Sequence, residues 1–430
     1  MRTALWRAVA GISVGLMALT GCSGRISTNL PAETTKSPAL RGPDGGSDYY
    51  GRFEDSLPTE DSFFPVGVWL ESITDAADLK QDAEVGINTY VDVTTDSNSD
   101  LLSDADAQIL ASWDAPASRG SVLADEVDMW AGPGSAEWTG AWPGQDSICT
   151  PAHGKCGYTV QGQLAGLLPE GTLSYANYGK GVTFWESDEQ AARFVNDYQD
   201  IVSADNYWFT DQNICVESEG GTLLKEPREL KTSECRRASN YGWTVERLRS
   251  LVSPLGTKPV WSFVEVGHPS TEPDAPTITG PQIRAAVWSS IIHGARGIIY
   301  FNHSFAGSCP SHHVLRDCGN NLRAEVAALN QQVFLLAPVL NSPFLDGALA
   351  SSPDIDAAVK VHSGDLYVLA GTTGSAAPQA TFSLQCTRDG DAEVVGEDRS
   401  VTVRNGRFTD SFAGADDVHI YKLSGNTCGF

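Results

Sequence analysis

Eight short runs rich in β-branched and aromatic residues recur between Phe63 and Phe305, separated by stretches of helical periodicity. This rhythm constrains the fold more than any other feature of the chain. The runs are FFPVGVWLE (63–71), INTYVDV (87–93), QILASWD (108–114), VLADEVDMW (122–130), TLSYANYG (172–179), IVSADNYWF (201–209), PVWSFVEVG (259–267) and GIIYFNHSF (297–305). Helix signals lie between them. Ser187-Asp188-Glu189-Gln190 reads as a capping box opening a helix over 188–200. Thr279-Gly280-Pro281-Gln282 opens another that runs to His293 and is ended by Gly294. The interval 115–121 is too short for a full helix, so the third unit is degenerate. Eight alternating units over 63–305 match the ~250 residues of a (β/α)8, or TIM, barrel. A doubly wound sheet is the structural alternative, but no Gly-rich phosphate turn follows an early strand.

After a last helix near 320–337 the pattern changes to alternating strands: AAVKVHS, DLYVLAGT, ATFSLQC, RSVTVRN and VHIYKL. These predict a small antiparallel β-sandwich. The expected organisation is a barrel over 61–345 and a sandwich over 346–430. Residues 23–60, rich in Ser, Thr, Pro, Gly and Asp, read as a flexible tether.

Residues 1–22 read as a targeting segment. Arg2 and Arg7 precede an apolar run from Ala8 to Leu19 that is too short to span a bilayer, which needs ~20 residues. The run ends in Leu19-Thr20-Gly21-Cys22, which resembles the lipobox of bacterial lipoproteins, with Cys22 as the lipidated residue. That resemblance implies export and a lipid anchor on the outer face of the cell membrane. Eight further cysteines are an even number in an exported chain and read as disulfides. Proximity in sequence favours Cys149–Cys156, Cys215–Cys235, Cys309–Cys318 and Cys386–Cys428. With 54 acidic against 29 basic residues and a net charge of −25, a nucleic-acid partner is excluded and an uncharged or cationic one favoured.

Catalytic side chains of such barrels stand at the C-terminal ends of strands. The fourth run ends Asp125-Glu126-Val127-Asp128 and the seventh ends Glu265-Val266-Gly267. Carboxylates after strands 4 and 7 are the pair a retaining glycosidase needs, about 5–5.5 Å apart, one as acid/base and one as nucleophile. Asp92, Asp205 and Glu71 are further carboxylates at strand ends. One of these facing Glu126 at ~6.5–9.5 Å would instead make the reaction inverting. Trp69, Trp113, Trp130, Trp185, Trp208 and Trp261 lie on or just after strands, and Trp69, Trp130 and Trp208 are candidate sugar-stacking rings, with Asn302 a candidate polar contact. His303, His312 and His313 lack a third ligand at zinc spacing, so no metal or other cofactor is expected.

Several segments resemble one family. Phe63-Phe64-Pro65-Val66-Gly67-Val68-Trp69, with Gly86-Ile87-Asn88-Thr89-Tyr90, resembles the opening of the clan of retaining (β/α)8 glycoside hydrolases. Asp125-Glu126 is similar to its acid/base motif. The stretch Val287-Trp288 through His293-Gly294-Ala295-Arg296-Gly297-Ile298-Ile299-Tyr300-Phe301 resembles its approach to strand 8. Phe408-Thr409-Asp410-Ser411-Phe412, with Val418-His419-Ile420-Tyr421, is similar to the appended β-sandwich. The resemblance implies Glu126 as acid/base, Glu265 as nucleophile, Tyr207 as a hydrogen-bond partner of that nucleophile and Asp125 as a sugar contact. The implied activity is cleavage of an extracellular poly- or oligosaccharide with retention, by hydrolysis or transglycosylation. A glycan-binding lipoprotein with a degenerate barrel site is the alternative.

Overall fold

The computed structural model describes residues 37–430, so Cys22 and the targeting segment lie outside the described residues. Eight parallel strands form the barrel: β1 Val66–Glu71, β2 Thr89–Val93, β3 Gln108–Ala111, β4 Ser118–Val122, β5 Ser174–Tyr178, β6 Ile201–Ala204, β7 Ser262–Glu265 and β8 Ile298–Phe301. Ladders run in the order β7-β8-β1-β2-β3-β4-β5-β6. The circle closes where Trp261 N–H donates to the Val202 carbonyl at 2.9 Å, just before β7 begins. The TIM barrel expected from the alternating runs is therefore the fold. Only the fourth run was misplaced. Its strand lies at 118–122, and Val127–Trp130, within the expected strand, is a single helical turn.

Side chains alternate about the barrel wall as a period of two requires. Trp69, Val91, Leu110, Val122, Tyr175, Ile201, Trp261, Phe263 and Ile299 fill the interior. Their neighbours Val66, Val68, Tyr90, Tyr178, Val264 and Ile298 face the helices. The capping boxes form as read: Ser187 with Gln190 and Thr279 with Gln282 open helices Asp188–Asp197 and Gly280–Ile292. The third connection, 112–117, has no helix.

Two antiparallel sheets of seven and three strands follow the barrel, and Phe382, Phe408 and Tyr421 pack between them. Tyr367, Leu369, Val418 and Ile420 carry the barrel's outer core into the larger sheet. The tether expectation is corrected over 39–60. Ala39–Arg41 pairs with Phe344–Asp346 as an edge strand. Tyr49, Tyr50 and Leu57 are buried against the barrel interior, and Trp261 Nε1 donates to the Tyr50 hydroxyl at 3.2 Å. A short segment with three large apolar groups was enough to plug the open bottom of the barrel. All four expected disulfides are present, pinning the loops 131–155, 210–240 and 309–318 and the C-terminus.

Candidate active site

The ends of β4, β5 and β6 converge on a cluster of carboxyls. The backbone of β5 holds both neighbours in place: Glu126 N–H donates to the Asn177 carbonyl at 3.0 Å, and Asp205 N–H to the Tyr178 carbonyl at 3.0 Å. On the inward face of β5 and β6 a chain of hydrogen bonds rises from the core. The Tyr175 hydroxyl donates to Ser203 Oγ (2.5 Å), which donates to Asn177 Oδ1 (2.6 Å). With its oxygen thus engaged, Asn177 Nδ2 donates to both Asp125 Oδ1 and Asp205 Oδ1, each at 3.0 Å. The two aspartate oxygens therefore lie no further apart than twice that distance. Glu126 and Asp205 line one cavity with Tyr207, and the charges of the two carboxyls and the phenol act on one another across it.

Burial is the main force on these groups. It pushes Asp205, only 8% exposed, well above the usual carboxylate range, and the negative charges of Glu126 and Asp125 push in the same direction. Burial also raises Glu126, and the positive charge of Lys180 opposes it. Crowding at the mouth, then the like charge of Glu126, raises Asp125; because this residue is open to the cleft, solvent moderates the push. Of the two, burial holds Asp205 the further above its usual range. Glu126 adopts a left-handed backbone, φ 47°, which turns its side chain away from that of Asp125. Gly179 admits this geometry, since a Cβ there would stand 2.2 Å from Met129 Sδ and 3.1 Å from Glu126 Oε1. Asp128, buried below, accepts from the backbone N–H groups of Gly179 and Val182 and fixes the loop after β5.

Strand 7 contributes differently from expectation. Glu265 has no exposed surface and lines neither cavity at the mouth. Its Oε1 accepts from Phe209 N–H (2.8 Å) and the Tyr241 hydroxyl (2.5 Å), and its Oε2 from the Thr210 hydroxyl. Three donors on a fully enclosed carboxyl leave it no access to a sugar, so the nucleophile expected there is corrected to an anchor for the 206–241 segment. The tyrosine hydrogen-bonded to Glu265 is Tyr241; Tyr207 lines the cavity with Asp205 instead. Trp208 and Asn302 are corrected likewise. Trp208 is fully buried, its indole donating to Thr244 Oγ1. Asn302, 1% exposed, donates to Glu71 Oε2 at 2.6 Å and accepts from Leu315 N–H.

The other ring candidates do reach the mouth. Trp69 and Asp125 line a cavity of about 640 Å³ together with Trp113 and Trp142. Trp130, part-buried, donates its indole N–H to the Asp125 carbonyl at 2.7 Å and packs on Trp142, 5.7 Å between centroids. Glu126, Asp205 and Tyr207 line a second cavity of about 440 Å³ with Lys180 and Asp211. Lys180 is held by Asp211 at 2.5 Å and Glu219 at 2.8 Å. Among the described residues no group of three or more His, Cys, Asp or Glu side chains is arranged to hold a metal ion. Sequence reasoning placed Asp205 among the mouth carboxylates and gave it a role only as an inverting partner of Glu126 at ~6.5–9.5 Å. The signal was there in Ile201-Val202-Ser203-Ala204-Asp205, where alternation puts Ile201, Ser203 and Asp205 on the inward face.

No family model and no curated protein sequence matches this chain. Solved structures with a similar course of chain include a GH30 endoxylanase from Clostridium papyrosolvens, at 12% identity, TM-score 0.44, covering 88% of this chain and 98% of that one. Another is a glycoside hydrolase family 5 protein from Bacteroides vulgatus, at 13% identity, TM-score 0.44, covering 84% and 90%. A third is a maltogenic alpha-amylase from Thermotoga neapolitana, at 8% identity, TM-score 0.46, covering 84% and 98%. These likenesses concern the course of the backbone alone.

Proposed function

We propose that the protein cleaves glycosidic bonds with retention of configuration, using Glu126 and Asp205. The observation that carries this reading is that Glu126 and Asp205 line one cavity at the barrel mouth, Asp205 almost enclosed and tied by Asn177, Glu126 beside Lys180. Asp205 gives its proton to the departing glycosidic oxygen while Glu126 attacks the anomeric carbon. Asp205, now an anion held by Asn177, then takes a proton from water or an acceptor hydroxyl, which displaces Glu126. Asp125 and Trp130 stand beside the reacting pair as sugar contacts. The net charge of −25 and the surrounding acids disfavour polyanionic glycans. The lipobox-like Leu19-Thr20-Gly21-Cys22 supports action at the outer face of a bacterial membrane, on glycan outside the cell.

The sequestration of Glu265 favours a second reading, a glycan-binding lipoprotein without turnover. Kinetics of residues 37–430 on a panel of polysaccharides and aryl glycosides separates the two. Asp205→Asn is expected to lose turnover of poor leaving groups and keep much of it on a dinitrophenyl glycoside, which needs no acid. Glu126→Ala is expected to lose both and to yield a glycosyl azide when azide is added. Binding without product in the unaltered protein, or unimpaired catalysis in both variants, would overturn the assignment.

A further inference from the structure

In a complete (β/α)8 barrel the helix between strands 3 and 4 covers the outside of that part of the wall. Here Ser112–Ala117 passes straight from β3 to β4 without a helix, and the ladder between the two strands shifts register after Ile109. The cavity of about 640 Å³ occupies the space this leaves. It begins at the mouth, between Trp69, Asp125 and Trp142, and continues down the flank of β4 to Leu164, Leu167 and Leu168. Leu167 is 79% exposed and Trp142 40% exposed, so the trench presents apolar surface to water. No lysine or arginine lines it, whereas Asp92, Asp114 and Asp125 do.

The Glu126 and Asp205 pair lines the second cavity, and the adjacent residue Asp125 lines the trench. Asp125 faces the trench, and Glu126, turned by its left-handed φ, faces the cavity shared with Asp205, Tyr207 and Lys180. Resting on the glycosidase reading above, we infer that the trench left by the missing third helix holds the continuation of a linear, uncharged or cationic glycan, and that the enzyme cuts such chains internally. Continuity with the reacting groups through Asp125 is what assigns this groove to the substrate. Sugar C–H faces lie against Trp142 and Leu167, their hydroxyls reach solvent along the open side, and the chain passes the carboxyls into the second cavity.

The test compares soluble chitosan, arabinoxylan and amylose with aryl disaccharides of the matching sugars, using residues 37–430. For whichever polymer is cut, early products are expected to be oligosaccharides of intermediate length, with chain length falling before monosaccharide accumulates. Leu167→Asp alters a position that is mostly solvent, so the fold survives. It is expected to raise KM for the polymer by roughly tenfold relative to KM for the aryl disaccharide, with kcat for the polymer retained. Release of monosaccharide alone from chain ends, or a polymer KM unmoved by Leu167→Asp, would overturn the trench and leave the carboxyl assignment standing. Absence of cleavage of every probe by the unaltered protein would remove both.

Discussion

Glu265 offers the sharpest separation between the chemistry expected of strand 7 and the role its surroundings give it. Glu265→Leu leaves the Phe209 N–H and the Tyr241 and Thr210 hydroxyls without an acceptor in a fully buried place. Each orphaned buried donor costs about 1–3 kcal/mol, and hydroxyls can rotate to other partners, so a loss of about 3–5 kcal/mol is expected. Glu265→Gln keeps one carbonyl oxygen for Phe209 and Tyr241, and Thr210 can turn to accept from the new amide. Its cost is about 1–2 kcal/mol, the difference between charge-assisted and neutral bonds. Urea unfolding with linear extrapolation reads both values. The same Gln variant, assayed well below its melting temperature, is expected to keep kcat within about threefold, because no sugar reaches this carboxyl. Removing a true nucleophile costs on the order of 10⁴ or more in kcat. A Gln variant of unchanged stability that loses activity on that scale would refute the anchor and restore Glu265 to the chemistry.

Other consequences are open to simpler measurements. Lys360 is buried with its Nζ over the Phe344 ring at 3.6 Å and no hydrogen-bond partner, and burial drives its amine well below the usual lysine range. Lys360→Met keeps the packing and removes the desolvation cost, so it should stabilise by about 1–3 kcal/mol in thermal or urea unfolding, and a destabilised variant would contradict this. Burial alone would lower His293, but hydrogen bonds to Asp356 and Glu246 raise it to about 9, joining the barrel to the larger sheet. A raised folded-state value stabilises fully below the unfolded value near 6.5 and is lost as pH rises through about 9. Melting temperature should therefore fall over that window, and His293→Gln should flatten the fall. Burial raises Asp128 to about 7 and, more strongly, Asp205, so these acids also favour the folded state at low pH; their contribution declines as pH rises from about 4. Replacing both Cys386 and Cys428 by serine opens a loop of separation 42 and should cost about 4 kcal/mol, against about 2.5 for Cys149 and Cys156 at separation 7, in denaturant titrations.

Which parts of this molecule were legible follows from the range of the interactions involved. The barrel was legible because its evidence is local, alternation about a wall in the strands and a capping box at a helix start, as at Ser187 and Gln190. The disulfides were legible because short separations make neighbours. The bottom plug was not, since nothing local distinguishes Tyr49, Tyr50 and Leu57 on a linker from the same residues closing a barrel. The carboxyls show the limit most clearly. Asp205 and Glu265 are nearly equivalent by position: Glu265 ends its strand and Asp205 directly follows one, with the same parity as Phe263 and Ser203 on the inward face. They are separated only by what the long segment after β6 does. By folding back so that Phe209, Thr210 and Tyr241 saturate Glu265, it removes one carboxyl from the cleft and leaves Asp205 beside Glu126. Parity along a strand decides which way a carboxyl points. Whether it reacts depends on donors supplied from elsewhere in the chain, and here the segment after β6 supplied three to Glu265, while β5 gave Asp205 one, from Asn177, and left it in the cavity with Glu126. The same accounting makes the missing third helix informative, because a gap in a regular wall either fills with side chains or stays open. This one stays open from Asp125 to Leu167, on the side of the barrel where the carboxyls are.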